Sequence, residues 1–551
     1  MRSRGKETRD EAATSQARER ASAAPRLGSH AGRYAGRVAA GILLSRLAGL
    51  VRERFFSHFF GLSDAGDAFK AAFKIPNSLQ NLFGEGVLSA SFIPVYARLL
   101  AEGDEKEANR VAGAVFSLLA LLVSLLVLAG VLAAPWLVDA IAPGFTDTKR
   151  ALLVQLVKII FPGTGLLVLS AWCLGVLNSH RRFFLSYAAP LAWNAVMIGT
   201  MAGFGHRLGQ FPLAEVTAIG SVAGSALQFL VQLPTVLRLA RGLRLELGLR
   251  SVHVLQVVTN FGPVFLSRGV VQISAYIDNL LASFLSTGAV TALYNAQTIY
   301  LLPVSLFGMS VSAAELPLMS GAIGDTTEVS ATLRGRLDAG LRRIAFFIVP
   351  SAVAFLALGD LVTGVIYQTG RFGRADSAYV WGVLAGAAVG LLATTSGRLY
   401  SSTFYALRDT RTPLRFAFVR VALTTGLGYL AAFHLPVWLG LERRWGVAGL
   451  TASAGVAGWV EFVLLRRALN RRIGQTGLPA RFLASLWMAA ALAAGVAWGA
   501  KLGLTVERPL LVGLCALGLY GAAYLGLTLA FRVQEARWAV ERLRRRRSPR
   551  G

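Results

Sequence analysis

Within "DAFKAAFKIPNSLQNLFGEG", Asp67, Lys70, Lys74, Asn77, Asn81 and Glu85 recur three or four residues apart, the spacing that puts side chains on one side of a helix. The preceding apolar stretch, "GILLSRLAGLVRERFF", carries Arg46, Arg52, Glu53 and Arg54, with Arg46 and Glu53 two turns apart. A third, "SRGVVQISAYIDNLLASF", carries Arg268 and Asp278. A charge at the centre of a membrane helix costs about 2.5 to 3.5 kcal/mol on insertion scales, so such groups normally face protein or water. One at a time, these residues read equally well as ion pairs between helices, Asp67 and Glu85 against Arg46, Arg52 or Lys74. As a set they do not, because basic groups outnumber acids and leave positive charge for an anionic ligand. Arginine offers phosphate a planar two-donor fork and lysine a point charge. The pattern predicts an aqueous, cationic cavity with Arg46, Arg52, Asp67, Lys70, Lys74, Asn81, Glu85 and Arg268 on its wall.

Nothing in the sequence suggests bond-making chemistry. His58, His180, His206, His253 and His434 are scattered without metal-ligand spacing, so no metal site is expected. No phosphate loop of the GxxxxGK[ST] type occurs, which excludes transport driven by ATP bound to that motif. Cys173 and Cys515 lie inside apolar segments and read as packing residues. No cofactor is expected. The driving force is then the membrane potential or a Na⁺ or H⁺ gradient, with Asp278 the candidate coupling acid, although a hard cation such as Na⁺ wants several oxygen ligands.

The elements that position these residues follow from composition. Of 551 residues, 54% are hydrophobic and 15% charged, and the mean hydropathy is +0.55. A soluble domain has about a quarter of its residues charged, so this is a membrane protein. Runs long enough to cross a bilayer predict an all-α polytopic fold of about fourteen spans between residues 38 and 531. With the N-terminal arm inside, loops on the cytoplasmic side carry 21 Lys and Arg and those outside carry nine. The positive-inside rule then puts both termini in the cytoplasm. The net charge of +27 belongs to these loops rather than to a nucleic-acid-binding domain.

"LFGEGV" at Leu82–Val87 returns as "LFGMSV" at Leu306–Val311, each copy between two prolines, Pro76 and Pro94 or Pro303 and Pro317. An internal duplication at this interval predicts two six-helix lobes with a central site between them. The expected organisation is a basic arm at 1–37, a lobe at 38–238, a second at 239–465, two further helices at 466–531 and a basic tail at 532–551. Both basic termini suit anionic phospholipids at the cytoplasmic surface.

"SRLAGLVRERFF", "GDAFKAAFKIPN", "FGEGVLSASFIPVYA", "APGF" and "FYALRDTRTP" resemble the MurJ (MviN) lipid II flippases of the multidrug/oligosaccharidyl-lipid/polysaccharide exporter superfamily. The resemblance runs from about Ala40 to Ala530. It implies a V-shaped alternating-access transporter of fourteen helices in the bacterial inner membrane. Its substrate would be lipid II, the undecaprenyl-pyrophosphate-linked peptidoglycan precursor, with the last two helices forming a groove for the lipid tail. Arg46 and Arg52 match the first-helix arginines that bind the pyrophosphate region, Asp67 the acid opening the second helix, and Lys74 and Glu85 polar positions beyond it. This chain has Gln80 and Asn81 where members carry a second-helix arginine, Gln297 and Thr298 where they carry Asp-Arg, and Ser186 at a proline position. Lys70 and Arg268 are the candidate replacements. These departures leave open a flippase for another lipid-linked oligosaccharide, and a non-transporting paralogue that scaffolds cell-wall synthesis proteins.

Overall fold

The charge-free run between Arg110 and Asp139 forms most of the helix Glu105–Leu132, on which Leu121, Leu125, Leu128 and Leu132 are all more than half exposed. Bare leucines at three- and four-residue spacing are what a lipid-facing helix needs, the reverse of the amphipathic pattern of a helix in water. The Asp104 carboxylate accepts from the Glu107 N–H and caps the helix where its dipole is positive.

The computed structural model describes residues 41, 44–83, 85–248, 251–321, 326–503 and 509–547. Among them, ten helices are long and apolar enough to cross a membrane, eleven if the bent pair Arg374–Ala388 and Leu391–Ala406 is one span. Three expected spans fall outside that set. The first is described over 44–60, the arm at 1–37 lies outside the described residues, and the seventh, Val252–Ser283, is one helix of 32 residues with the side chains of 262–275 outside the described ones. In the second, the described residues are helical over Asp64–Ala72, Lys74–Phe83 and Glu85–Ala101, with a turn at Phe73. Pro76 has no N–H for the carbonyl of Ala72, so that rung is missing, and the ladder resumes where the Asn77 N–H donates to the Phe73 carbonyl at 3.0 Å. The second copy of the repeat, Leu306–Val311, overlaps the π-helical turn Val304–Met309.

Asp147–Ser179 is the hub of the first half, packed against Asp64–Ala72, Lys74–Phe83, Glu105–Leu132 and Gln210–Leu239. Gly446–Ile473 does the same for Arg374–Ala388, Leu391–Ala406 and Arg411–Tyr429. Val252–Ser283 runs between the halves and touches both Glu85–Ala101 and Arg411–Tyr429. Ala480–Gly503 and Pro509–Ala530 pair with each other and lean on Thr326–Ala357 and Gly359–Tyr367. Pro350 leaves the Phe346 carbonyl without its helical donor. The Tyr524 hydroxyl supplies one at 2.8 Å, and Tyr520 donates to the Pro350 carbonyl at 2.7 Å. The tail helix Gln534–Arg547 is anchored by Glu535, which accepts from Arg342 at 2.6 Å.

Candidate functional site

A cavity of about 320 Å³ opens in the first half, between helix 44–60 and the Asp64–Ala72, Lys74–Phe83, Asp147–Ser179, Pro190–Phe204 and Gln210–Leu239 helices. Arg52, Glu53, Lys70, Asn77 and Gln80 are on its wall, with Tyr294 reaching in from the second half. Lys70, Phe73, Asn77 and Gln80 follow one another at three- and four-residue spacing, which keeps them on one side of the second span. Residues on either side of the turn at Phe73 face the same space.

Glu53 joins the two cations. Its carboxylate accepts from Arg52 Nη2 and from Lys70 Nζ, each at 2.5 Å, with the Glu53 side chain 3% and Lys70 6% exposed. The Lys70 ammonium also lies 4.0 Å from the Phe56 ring centre and 4.2 Å from that of Tyr294, so aromatic faces take the place of water around it. The Arg52 guanidinium, 17% exposed, stacks 4.6 Å over Trp193. Two cations and one carboxylate leave a single surplus positive charge, and Arg52 is the group that presents it. Lys70 is thus not the free replacement cation expected from its position, because Glu53 has taken its charge.

Asp67 is not on the cavity wall. It is fully buried at one end of the molecule, where Oδ1 accepts from the N–H and hydroxyl of Thr291 and Oδ2 from the Gly288 N–H and Lys149, all at 2.8 Å. It caps Ala289–Pro303, placing a negative charge at that helix's positive end. Gly288 is required there twice over: its φ is +85°, and a Cβ would lie 2.7 Å from that of Leu62. Beside it, burial works to raise the Asp64 carboxyl, but Lys149 and the Thr287 hydroxyl hold it below the ordinary range.

The same end carries further ties between the halves. Arg54 donates to the Val365 and Ile366 carbonyls at 2.7 and 3.2 Å, at the C-terminus of Gly359–Tyr367 where a cation is favoured. His58 pairs with Thr369 at 2.9 Å, and its carbonyl accepts from the Arg371 N–H. Gly370 makes this approach possible: its φ is +54°, and a Cβ would come within 2.4 Å of the His58 carbonyl oxygen.

Of the other expected wall residues, Arg46 is exposed on helix 44–60 and Lys74 is half-buried, within electrostatic reach of Asp278. Asp278 Oδ1 is buried with no hydrogen-bond partner among the described residues, and Lys74 and Arg420 are the cations acting on it. The side chains of Asn81, Glu85 and Arg268 lie outside the described ones. Sequence reading missed a second charged cluster, in which Arg420 donates to Glu461 at 3.1 Å with Arg398 nearby. The signal was available, since all three are charges inside expected spans. Trp193 and Tyr294 gave no comparable signal within apolar runs.

The sequence model of the family described as "Lipid II flippase MurJ" matches residues 56–514. The chain is 30% identical to the probable lipid II flippase MurJ of Rhizobium meliloti over 472 residues, 82% of this chain and 84% of that one. It is also 30% identical to the lipid II flippase MurJ of Burkholderia cenocepacia over 503 residues, 88% and 94% of the two chains. Its fold is similar to a solved lipid II flippase MurJ in an inward closed conformation, with a TM-score of 0.73 at 22% identity, covering 90% of this chain and 98% of that one. A multidrug MATE transporter of the MOP superfamily in an inward-facing conformation matches with a TM-score of 0.60 at 17% identity, covering 80% and 98%.

Proposed function

The chain belongs to the MurJ lipid II flippase family, and from that membership and the charged cavity we propose that it moves lipid II from the inner to the outer leaflet of the bacterial inner membrane by alternating access. The single observation that carries the reading is Arg52, a guanidinium facing the cavity with one side on Glu53 and its plane on Trp193. A pyrophosphate entering this space competes with Glu53 for Arg52, trading an internal ion pair for a substrate one. Arg46, exposed two turns away, extends the cationic path on the same helix. Lys74, Asn81, Glu85 and Arg268 are assigned to the same path, and Arg398 and Arg420 offer the second half the charge that Thr298 does not.

The layout that goes with this function is about fourteen spans, in lobes at 38–238 and 239–465 with an accessory pair at 466–531 beside the lipid tail. Both termini lie in the cytoplasm, with the basic stretches at 1–37 and 532–551 on anionic phospholipid. One feature supports the order of spans independently of charge counting: the connections after spans one, three, seven and nine meet in the Asp67, His58 and Asn279 contacts, as they must if all lie on one side of the membrane, which the charge count assigns to the outside. The outer end is therefore shut in this conformation, and Asp67, Arg54 and His58 hold it. Asp67 acts as a gate residue rather than a ligand of pyrophosphate.

Coupling falls to Asp278. Among the described residues no three His, Cys, Asp or Glu side chains come together as a metal cage, and the charges facing Asp278 are cations. A lone carboxylate between Lys74 and Arg420 suits a proton or the membrane potential better than Na⁺. Flipping in sealed vesicles is expected to stop with a protonophore and to continue when Na⁺ is replaced by choline; a strict Na⁺ requirement would overturn this assignment.

The test of function is complementation. In a bacterium depleted of its own lipid II flippase, the expressed chain is expected to restore growth and the exposure of lipid II at the outer leaflet. A well-inserted protein that restores neither refutes the reading, and would favour another lipid-linked substrate or a scaffolding role.

A further inference from the structure

The cavity does not end at Arg52. It continues into the first half between Asp147–Ser179, Pro190–Phe204 and Gln210–Leu239, and there its walls are polar but uncharged: Thr164, Asn194, Ser221, Ser225 and Gln228. Asn194 is 4% exposed. Its amide nitrogen donates to the Pro190 carbonyl at 3.0 Å, and its Oδ1 has no hydrogen-bond partner among the described residues. Gln228, 8% exposed, donates to Ser170 at 3.0 Å behind the cavity wall. Trp193 touches both the charged and the uncharged wall. Its indole N–H is fixed on the Ser221 carbonyl at 3.0 Å and its ring carries the Arg52 guanidinium.

Buried polar groups are nearly always hydrogen-bonded, so a buried, unpartnered amide oxygen on a residue that lines the cavity points to a donor that arrives from outside the chain. No charged side chain lines the inner walls, which disfavours a phosphate or carboxylate there and favours neutral N–H and O–H groups. The volume decides how much can enter. About 320 Å³ for the whole cavity, its Arg52 end included, is at the small end of ligand pockets, so beside a pyrophosphate there is room for one sugar ring or a short piece of peptide at most and not for a whole disaccharide-pentapeptide.

We propose that this inner pocket is a specificity subsite that receives an uncharged, amide- or hydroxyl-bearing unit of the transported headgroup while the pyrophosphate stays at Arg52. Asn194 and Gln228 read that unit, and Trp193 marks the boundary between charge recognition and neutral recognition. The inference rests on the reading that the chain carries lipid II, and it adds a reason why the protein would distinguish lipid II from a bare polyprenyl pyrophosphate.

The experiment measures binding of three lipids to the purified full chain in nanodiscs: lipid II, the same lipid without its peptide, and undecaprenyl pyrophosphate. The wild-type protein is expected to hold lipid II at least about tenfold more tightly than undecaprenyl pyrophosphate, the scale of one or two buried hydrogen bonds. Asn194→Leu and, separately, Gln228→Met are expected to remove about tenfold from lipid II affinity and to leave undecaprenyl pyrophosphate affinity within about twofold. The peptide-free lipid identifies the occupant: retained preference assigns the pocket to a sugar, lost preference to the peptide. Variants that keep the full preference for lipid II, or lose affinity for both lipids equally, overturn the subsite while leaving the flippase reading intact. A wild-type protein that binds none of the three lipids overturns the flippase reading and the subsite with it.

Discussion

Asp67→Ala is expected to open the outer end and abolish transport. The substitution strands the Gly288 and Thr291 N–H groups and the Thr291 hydroxyl in one step, where Asp67 has no exposure to water, and leaves Lys149 with Asp64 alone. Removing one partner of a buried charged pair costs about 3 to 5 kcal/mol, which shifts a two-state balance at least about a hundredfold. The cost falls on the shut conformation alone, because these contacts join the two halves there. The readout is a cysteine at Val290, which is 3% exposed when the end is shut. Val290→Cys is expected to resist a membrane-impermeant thiol reagent in the parent and to react readily in the Asp67→Ala background. Equal protection in both would show that the cap does not hold the gate. Asp67→Asn, which keeps an acceptor for Thr291 but no charge for Lys149, is expected to fall between the two.

Glu53→Ala has the second large effect, and its sign separates two roles for the same ion pair. Alone, it leaves Arg52 and Lys70 both charged on a wall where the Lys70 side chain is 6% exposed, with only aromatic faces for company. The expected loss is again about 3 to 5 kcal/mol of folding stability, visible as a large drop in Tm. The double variant Glu53→Gln with Lys70→Met removes both charges of one pair. Replacing a buried ion pair by groups of similar size is often neutral for stability, so the double variant is expected to regain most of the Tm. It should nonetheless flip lipid II poorly, because with no Glu53 carboxylate to take Arg52 back, a pyrophosphate bound there is released slowly. A double variant that transports at the parental rate would reduce the triad to a structural role. Single variants as stable as the parent would remove even that.

The sequence by itself determined the solvent, the class of element and the set of charges that matter. Hydropathy is a local property, and in lipid every backbone group must be paired within its own segment, so apolar runs of sufficient length have little choice but to be helices. The insertion cost of a charge is local too, which is why Arg52, Glu53, Lys70, Asp67 and Asp278 stood out before any partner was known. The motifs near Arg52 and Lys74 were enough to identify the family. Tertiary structure decided which charge meets which. A one-sided stripe says which side of a helix carries charge and not what packs there: Asp67 and Lys70 are one turn apart on Asp64–Ala72, yet Asp67 caps Ala289–Pro303 while Lys70 meets Glu53. The partners themselves are remote in the chain. Asp67 meets Gly288 and Thr291, 221 and 224 residues away, and Arg54 meets Val365, 311 residues away. Helical periodicity describes one helix at a time and carries no information about the crossing of two. The uncharged inner pocket lay beyond reach for a related reason: Asn194, Ser225 and Gln228 carry no insertion penalty large enough to mark them, and only the packing of three helices makes them neighbours.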